Sequence, residues 1–366
     1  MANVQQGNLL FSQGTDVIKN YYVGLELRFG IQTDDYQKNT FDASFRYPKY
    51  GIAYYMGNMN EIILGDEHQD GFGKPSALYG FFSSPIFRTK WFQLNYEFGI
   101  GVSYNFKTYD PRRRPYNTLI GSKTNGYISA SLDGQILLPG HSSIGLGGSF
   151  RHFSNGSIQK PNSGINLIMA TVSYQWGLYK NRDKSYTRIH ADPVEPTLEW
   201  YISWGNAVRM LDTDFDLDHP KNSKRWYCAT VSTSILAHVS HRRKVGLGLD
   251  FFYFDWGRHI INYRAHIDGR RERTSIHDNM SIGVHIAHEV AYKKFWAVTN
   301  VGFYLNERVG DIPSSPFIYE RIGVKYQLTD RFCVGLSLKA HLVKADYLAL
   351  EIGYSIIKNK KLKKRS

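Results

Sequence analysis

Large apolar side chains alternate with small or polar ones over unusually long runs of this chain. The purest run spans residues 93–106 and places the following side chains on one face: Leu94, Tyr96, Phe98, Ile100, Val102, Tyr104 and Phe106. Successive side chains of a strand point to opposite faces, so this pattern predicts strands with one apolar and one polar face. The alternation recurs from Tyr21 to Ile356. We therefore expect an all-β chain.

The predicted strands are long enough to cross a membrane. They run for about 9 to 14 residues, whereas strands of soluble sheets are usually nearer 5 or 6. Short turns alternate with long polar stretches, as in outer-membrane barrels. The mean hydropathy is -0.39, and no window of about 18 consecutive residues is apolar, which excludes a transmembrane helix. The sequence thus predicts one transmembrane antiparallel β-barrel of about 14–16 strands, with a soluble β-sandwich as the alternative.

The expected domain plan follows from the first and last strands of this pattern. Residues 1–19 are predicted to be an N-terminal periplasmic segment, 20–178 a barrel portion, 179–357 further strands of the same barrel, and 358–366 a basic tail. A strand is also expected over 40–47. The N-terminus lacks the apolar core of a secretory signal, and the strand pattern favours a signal that has already been removed.

One strand end carries a candidate nucleophile and base. On the predicted strand that ends near residue 155, His152 and Ser154 follow the apolar side chains of one face. Cβ atoms two residues apart on one face are about 6 to 7 Å apart, so an imidazole nitrogen can reach the serine hydroxyl. The next strand begins at Ile165, and its Asn166 can lie beside His152 across the hairpin.

The run Ser149-Phe150-Arg151-His152-Phe153-Ser154-Asn155, with Asn162-Ser163-Gly164-Ile165, resembles the PagL family of lipid A 3-O-deacylases. The likeness covers roughly residues 20–178. It implies that His152 is the base, Ser154 the nucleophile and Asn155 an oxyanion donor, with Asn162 and Gly164 in a supporting loop. The family has an acidic residue where this chain has Asn166. An amide can fix a histidine tautomer but cannot stabilise imidazolium by charge.

These observations predict a serine esterase of the bacterial outer membrane that removes a 3-hydroxyacyl chain from lipid A, without a metal or other cofactor. The alternative is a non-enzymatic channel or structural barrel with a degenerate site. The formal charge of +13 suits lipopolysaccharide as a partner, and basic loop residues occur at Arg112-Arg113-Arg114 and Arg270-Arg271. No nucleic-acid recognition motif accompanies the charge. Whether the barrel forms a homodimer is left open by the sequence.

Overall fold

The computed structural model describes residues 2–10, 17–34, 39–68, 70–177, 197–214, 223–269, 273–307, 317–342 and 344–358. The chain divides into two compact units. Within the described residues, no helix is long and apolar enough to span a membrane.

The first unit is a closed barrel of eight antiparallel strands. Its elements are β1 (Ala2–Leu10), β2 (Val17–Asn20), β3 (Tyr22–Gln32), α1 (Thr40–Ser44), β4 (Lys49–Asn58), β5 (Ile62–Leu64), β6 (Gly73–Arg88), β7 (Phe92–Phe106), β8 (Asn125–Leu137), β9 (Ser142–Ser154) and β10 (Ile165–Trp176). The barrel order is β1-β10-β9-β8-β7-β6-β4-β3, and β2 pairs with β5 in a separate small sheet.

The second unit is another closed barrel of eight strands, joined in sequence order. Its elements are β11 (Leu198–Met210), β12 (Arg225–Ser240), β13 (Arg243–Phe254), α2 (Gly257–Ile267), β14 (Met280–Tyr292), β15 (Phe295–Glu307), β16 (Ile318–Gln327), β17 (Phe332–His341) and β18 (Lys344–Lys358), with short 3-10 helices at Asp212–Asp214 and Ile276–Asn279. Strand β11 pairs with β18 and closes the cylinder.

The all-β antiparallel barrel class is confirmed, but the expectation of one barrel is wrong. The strands close as two barrels of eight, so residues beyond 197 do not extend the first barrel. Residues Ala2–Leu10, predicted to be a periplasmic segment, form the strand that closes the first barrel between β10 and β3. Residues Thr40–Ser44 form a helix because the Asn39 side chain accepts hydrogen bonds from the Phe41 and Asp42 amides. The predicted basic tail, 358–366, lies outside the described residues except for Lys358.

The predicted facing of the side chains is confirmed along β7. Phe98 is 59% exposed on the outer surface, whereas Glu97 is 6% exposed and points inward. The first barrel is filled by inward ion pairs, with Arg151 bonded to Glu26 at 2.6 Å and Arg28 to Glu97 at 2.6 Å. Glu26, Arg28, Glu97 and Arg151 thus pair with one another inside the first barrel.

The interior of the second barrel is also closed by ion pairs. Lys325 lies 2.6 Å from Glu289, and Arg321 lies 2.5 Å from Asp250 and 2.6 Å from Glu351. The cavity beside these pairs has a volume of about 20 Å³. A cavity of that volume holds about one water molecule, so the interior is tightly packed around these ion pairs.

Candidate active site

His152 and Ser154 lie on the outer face at the end of β9. Their strand neighbours on the same face, Leu146 and Phe150, are exposed, whereas Arg151 and Phe153 are buried in the barrel. Both candidate residues are themselves half-buried. The predicted direction of these side chains is thus confirmed: His152 and Ser154 face outward from the barrel and not into its interior.

Asn166 lies beside His152 across the β9–β10 ladder, as the sequence predicted. The two residues are direct Cα partners in the register, and Asn166 Oδ1 is 2.6 Å from His152 Nδ1. An amide oxygen can only accept a hydrogen bond, so this contact places the imidazole proton on Nδ1. The Nε2 nitrogen then keeps its lone pair and can act as a base.

Gly164 allows the loop before β10 to pack against the imidazole. Its φ of +80° is in the left-handed region, and a Cβ at this position would lie 2.8 Å from His152 Cε1. Its amide donates to Leu119 O at 3.0 Å, which anchors this loop to the loop between β7 and β8. A side chain here would push on the ring that Asn166 orients.

Asn162 is the loop residue that contacts the candidate nucleophile. Its Nδ2 donates to Ser154 Oγ at 2.9 Å, while its Oδ1 accepts from the Asn155 backbone amide at 3.1 Å. The backbone donor can bond only to the oxygen of the Asn162 amide, so it fixes that side chain with its N–H₂ group toward Ser154.

The Asn155 side chain is directed away from Ser154. Its Nδ2 donates to Ser122 Oγ at 2.7 Å and to Gln159 O at 2.9 Å, and its Oδ1 accepts from the Gln159 amide. Both amide hydrogens are therefore committed to the loops in this conformation. No sequence pattern indicated Ser122, which is 33 residues before Asn155 and is brought to the site by the fold.

Other charged motifs of the sequence fall partly outside the described residues. Arg270 and Arg271 lie there, as do the last two members of an acidic run formed by Asp212, Asp214, Asp216 and Asp218. The described Asp214 of that run accepts a hydrogen bond from Trp226 Nε1. In the part of the chain that the structure describes, no group of three or more His, Cys, Asp or Glu side chains could hold a metal ion.

A second serine, histidine and aspartate set lies inside the second barrel. Ser234 Oγ is 3.0 Å from His285 Nε2, and His285 Nδ1 is 2.9 Å from Asp250 Oδ2. The Nδ1 nitrogen is nonetheless poorly aligned for a hydrogen bond to that carboxylate. All three residues are buried, and Ser234 lines the cavity of about 20 Å³. No acyl substrate fits there, so we interpret the set as part of the interior polar network.

The two barrels correspond to two family models. Residues 20–175 match the lipid A 3-O-deacylase (PagL) model, and residues 199–360 match the model of the acyloxyacyl hydrolase C-terminal domain. The chain belongs to the PagL family. Strand β1 precedes the PagL match, so sequence similarity to the family covers seven of the eight strands of the first barrel.

Similar solved structures include the outer-membrane enzyme PagL, at 16% identity and a TM-score of 0.30, covering 47% of this chain and 96% of that one. A de novo designed transmembrane β-barrel matches at 13% identity and a TM-score of 0.23, covering 45% and 99%. A Rh. blastica porin variant matches at 8% identity and a TM-score of 0.18, covering 97% and 99%. No curated protein matches the chain. The PagL family assignment rests on the family models, since TM-scores of this size support no inference.

Replacing Gly164 by alanine should strain the backbone and should also displace the His152 ring. Gly140→Ala is the matched control, because Gly140 also has a positive φ, +91°, but has nothing within 4 Å of the added Cβ. Each change should cost about 1–2 kcal/mol of backbone strain. Only Gly164→Ala should also shift the His152 side-chain ¹⁵N resonances. Equal spectra for the two variants would show that Gly164 does not hold the ring.

Proposed function

We propose that this chain is an outer-membrane serine esterase that removes an ester-linked 3-hydroxyacyl chain from lipid A. The observation that carries the proposal is the arrangement of Asn166, His152 and Ser154 on the outward face of β9 and β10. The first barrel also matches the lipid A 3-O-deacylase family. An acyl chain lying along the outer surface of a barrel would meet this face.

In the proposed reaction, His152 Nε2 removes the proton from Ser154 Oγ as that oxygen attacks the ester carbonyl. The tetrahedral intermediate collapses with loss of the sugar alkoxide, which takes the proton from the imidazolium. Water then attacks the acyl-serine with the same base and releases the fatty acid. These residues carry the whole acyl transfer, with Asn166 keeping the imidazole in the required tautomer.

Asn155 was the predicted oxyanion donor, and we propose Asn162 for this role instead because of its contact with Ser154. The oxyanion is the former carbonyl oxygen, and it shares its carbon with Ser154 Oγ in the tetrahedral intermediate. Asn162 Nδ2 lies 2.9 Å from Ser154 Oγ and is therefore close to where the oxyanion would form. Asn155, to which the sequence assigned this role, would first have to release both Ser122 and Gln159. We therefore assign Asn162 as the donor and Asn155 as the residue whose backbone amide positions it.

The alternative is a non-enzymatic barrel with a degenerate site, and the specific feature favouring it is Asn166. A neutral amide supplies no charge to the developing imidazolium. A pore through the second barrel is disfavoured, because ion pairs such as Lys325–Glu289 fill its interior.

Ser154→Ala should abolish release of the 3-hydroxy fatty acid, lowering the rate by about 10³-fold or more because the nucleophile is lost. The measurement is mass spectrometry of lipid A after incubation with the purified barrel protein. Ser163→Ala, which alters an exposed serine of the neighbouring loop, is the control and should retain activity. Retention of most activity by Ser154→Ala would contradict the assignment of the nucleophile, and an inactive parent protein would favour the non-enzymatic alternative.

Asn162→Asp tests the oxyanion donor at nearly constant shape. The carboxylate can still accept from the Asn155 amide, but it cannot donate to the developing oxyanion and it adds a repelling charge. We expect kcat to fall by about 10²–10³-fold, with a smaller effect on KM. The rates should be compared with those of Asn162→Ala, which loses the donor without adding charge. Unchanged kcat in both variants would exclude Asn162 from this role.

Asn166→Glu and Asn166→Ala should change the rate in opposite directions. A carboxylate about 4 Å or less from the imidazole raises its basicity and stabilises the imidazolium, so the rate near neutral pH should rise. Alanine removes the group that fixes the tautomer and should lower the rate about 10- to 10⁴-fold. The measurement is the pH dependence of kcat for the three proteins. Identical profiles would show that position 166 does not act through His152.

A further inference from the structure

A basic pocket opens at the loop rim of the first barrel, at the same end as the candidate site. Its volume is about 500 Å³. Its lining includes four cationic side chains, Lys74, Lys107, Arg114 and Lys123, together with Asn105. We propose that this pocket binds a phosphate group on the headgroup of the lipid substrate. This inference rests on the proposed function, because it assumes that the bound lipid is the one cleaved at Ser154.

The charge of the pocket is only partly balanced. Asp70 lies 3.5 Å from Lys107 and 3.4 Å from Arg114, and it is itself half exposed. Among the described residues, no carboxylate lies within 4 Å of Lys74 or Lys123, whose side chains are exposed. Several cations facing one space repel each other, and an anionic ligand between them would relieve that repulsion. A phosphate oxygen can accept from both lysine and arginine donors.

The pocket is held in shape before any ligand binds. Arg114 Nε donates to Thr108 O at 2.7 Å, which orients the guanidinium, and that side chain is only 13% exposed. The turn that carries it is closed by Asp110, whose carboxylate accepts from the Arg112 and Arg113 amides at 3.0 and 2.9 Å. These backbone donors, that of Arg113 foremost, lower the pKa of the Asp110 carboxyl and keep it ionised. A preorganised cation loses less entropy when it binds an anion.

The register places this pocket within reach of the same lipid molecule. Ser154 pairs with Gly126 on β8, and Gly126 pairs with Val102 on β7. Two strand spacings make about 10 Å sideways, and the three residues from Val102 to Asn105 add about 10 Å along the strand. The pocket edge is thus about 14 Å from Ser154, on the loop side. Acyl chains on the outer face would place a phosphorylated sugar headgroup at this height.

The two sites are also linked through one loop. Ser122 Oγ accepts a hydrogen bond from the side-chain amide of Asn155, and the next residue, Lys123, lines the pocket. Asn125, two residues further on, donates to Ser122 O and starts β8. A phosphate held by Lys123 would therefore be bound by the loop that also supports the site loop.

The test compares two lipids and two double variants. Lys74→Gln/Lys123→Gln removes two pocket charges, and Arg112→Gln/Arg113→Gln removes two exposed charges of the same rim that do not line the pocket. Each is also made on the Ser154→Ala background, where equilibrium binding of detergent-dispersed phosphorylated or dephosphorylated lipid A is measured without turnover. We expect the pocket variant to bind phosphorylated lipid A about 10-fold more weakly and dephosphorylated lipid A unchanged. The control should bind both like the parent.

Equal affinity of the pocket variant and the parent for phosphorylated lipid A would overturn the pocket assignment, whatever the activity. An equal loss in both double variants would also overturn it, because that result indicates general attraction to a basic surface. If the parent binds both lipids equally, but binds inorganic phosphate at millimolar concentration and loses that binding in Lys74→Gln/Lys123→Gln, the pocket is a site for the free ion and the lipid assignment is overturned. If the binding contrast holds but the parent releases no fatty acid, the pocket is supported and the proposed esterase function fails.

Discussion

The contact between Arg151 and Glu26 determines which way the end of β9 faces. The two groups are 2.6 Å apart and almost fully buried, and the Arg151 guanidinium also lies 4.3 Å from the centre of the Tyr55 ring. Removing one partner of a buried ion pair typically costs about 3–5 kcal/mol, because the other charge stays buried. A one-residue shift of β9 would turn Arg151 outward and take from the buried Glu26 carboxylate one of its two cationic partners, Arg28 being the other. The pair therefore fixes the parity that directs His152 and Ser154 to the outer face.

Aromatic packing supports the same parity from the next inward residue. Phe153 is fully buried, and its ring centre lies 5.2 Å from that of Tyr127 and 5.4 Å from that of Phe106. Burying a phenylalanine side chain contributes about 1.5–3 kcal/mol. The inward residues at 151 and 153 thus alternate with the outward residues at 152 and 154. The candidate chemistry is positioned by residues that have no chemical part in it.

This alternation explains how much could be predicted from the sequence. The outward facing of His152 and Ser154 follows from a period of two, and the position of Asn166 beside His152 follows from the hairpin in which β9 and β10 pair. The closure of the barrels could not be predicted, because each strand has the same pattern in one barrel of sixteen strands as in two of eight. Strand β1 was not predicted because residues 2–10 show little alternation of apolar and polar side chains. Asn162 contacts Ser154, and Ser122 contacts Asn155, through loop conformations that no periodicity encodes.

The second barrel shows that residue identity and contact distance do not by themselves make a catalytic site. Ser234, His285 and Asp250 lie next to one another in the order that acyl-transfer enzymes use, but they are buried among ion pairs. Arg321 also binds Asp250, so that carboxylate is engaged in holding two strands together as well as in facing the histidine. Ser154 differs because its face of the strand is open to a large apolar ligand.

The outward position of residue 166 gives a physical reason for an amide there. An ionised carboxylate at the outer surface of a membrane-spanning strand would be costly to desolvate, whereas a neutral amide costs far less. The contact between Asn166 Oδ1 and His152 Nδ1 keeps the orienting part of the interaction and omits the charge. Fixing the tautomer requires only an acceptor in the right place, whereas stabilising imidazolium requires a negative charge. A carboxylate at position 166 would both orient the imidazole and stabilise imidazolium by charge, whereas the amide only orients it. The amide avoids the cost of desolvating a charge at the end of the strand, but it makes the candidate base weaker.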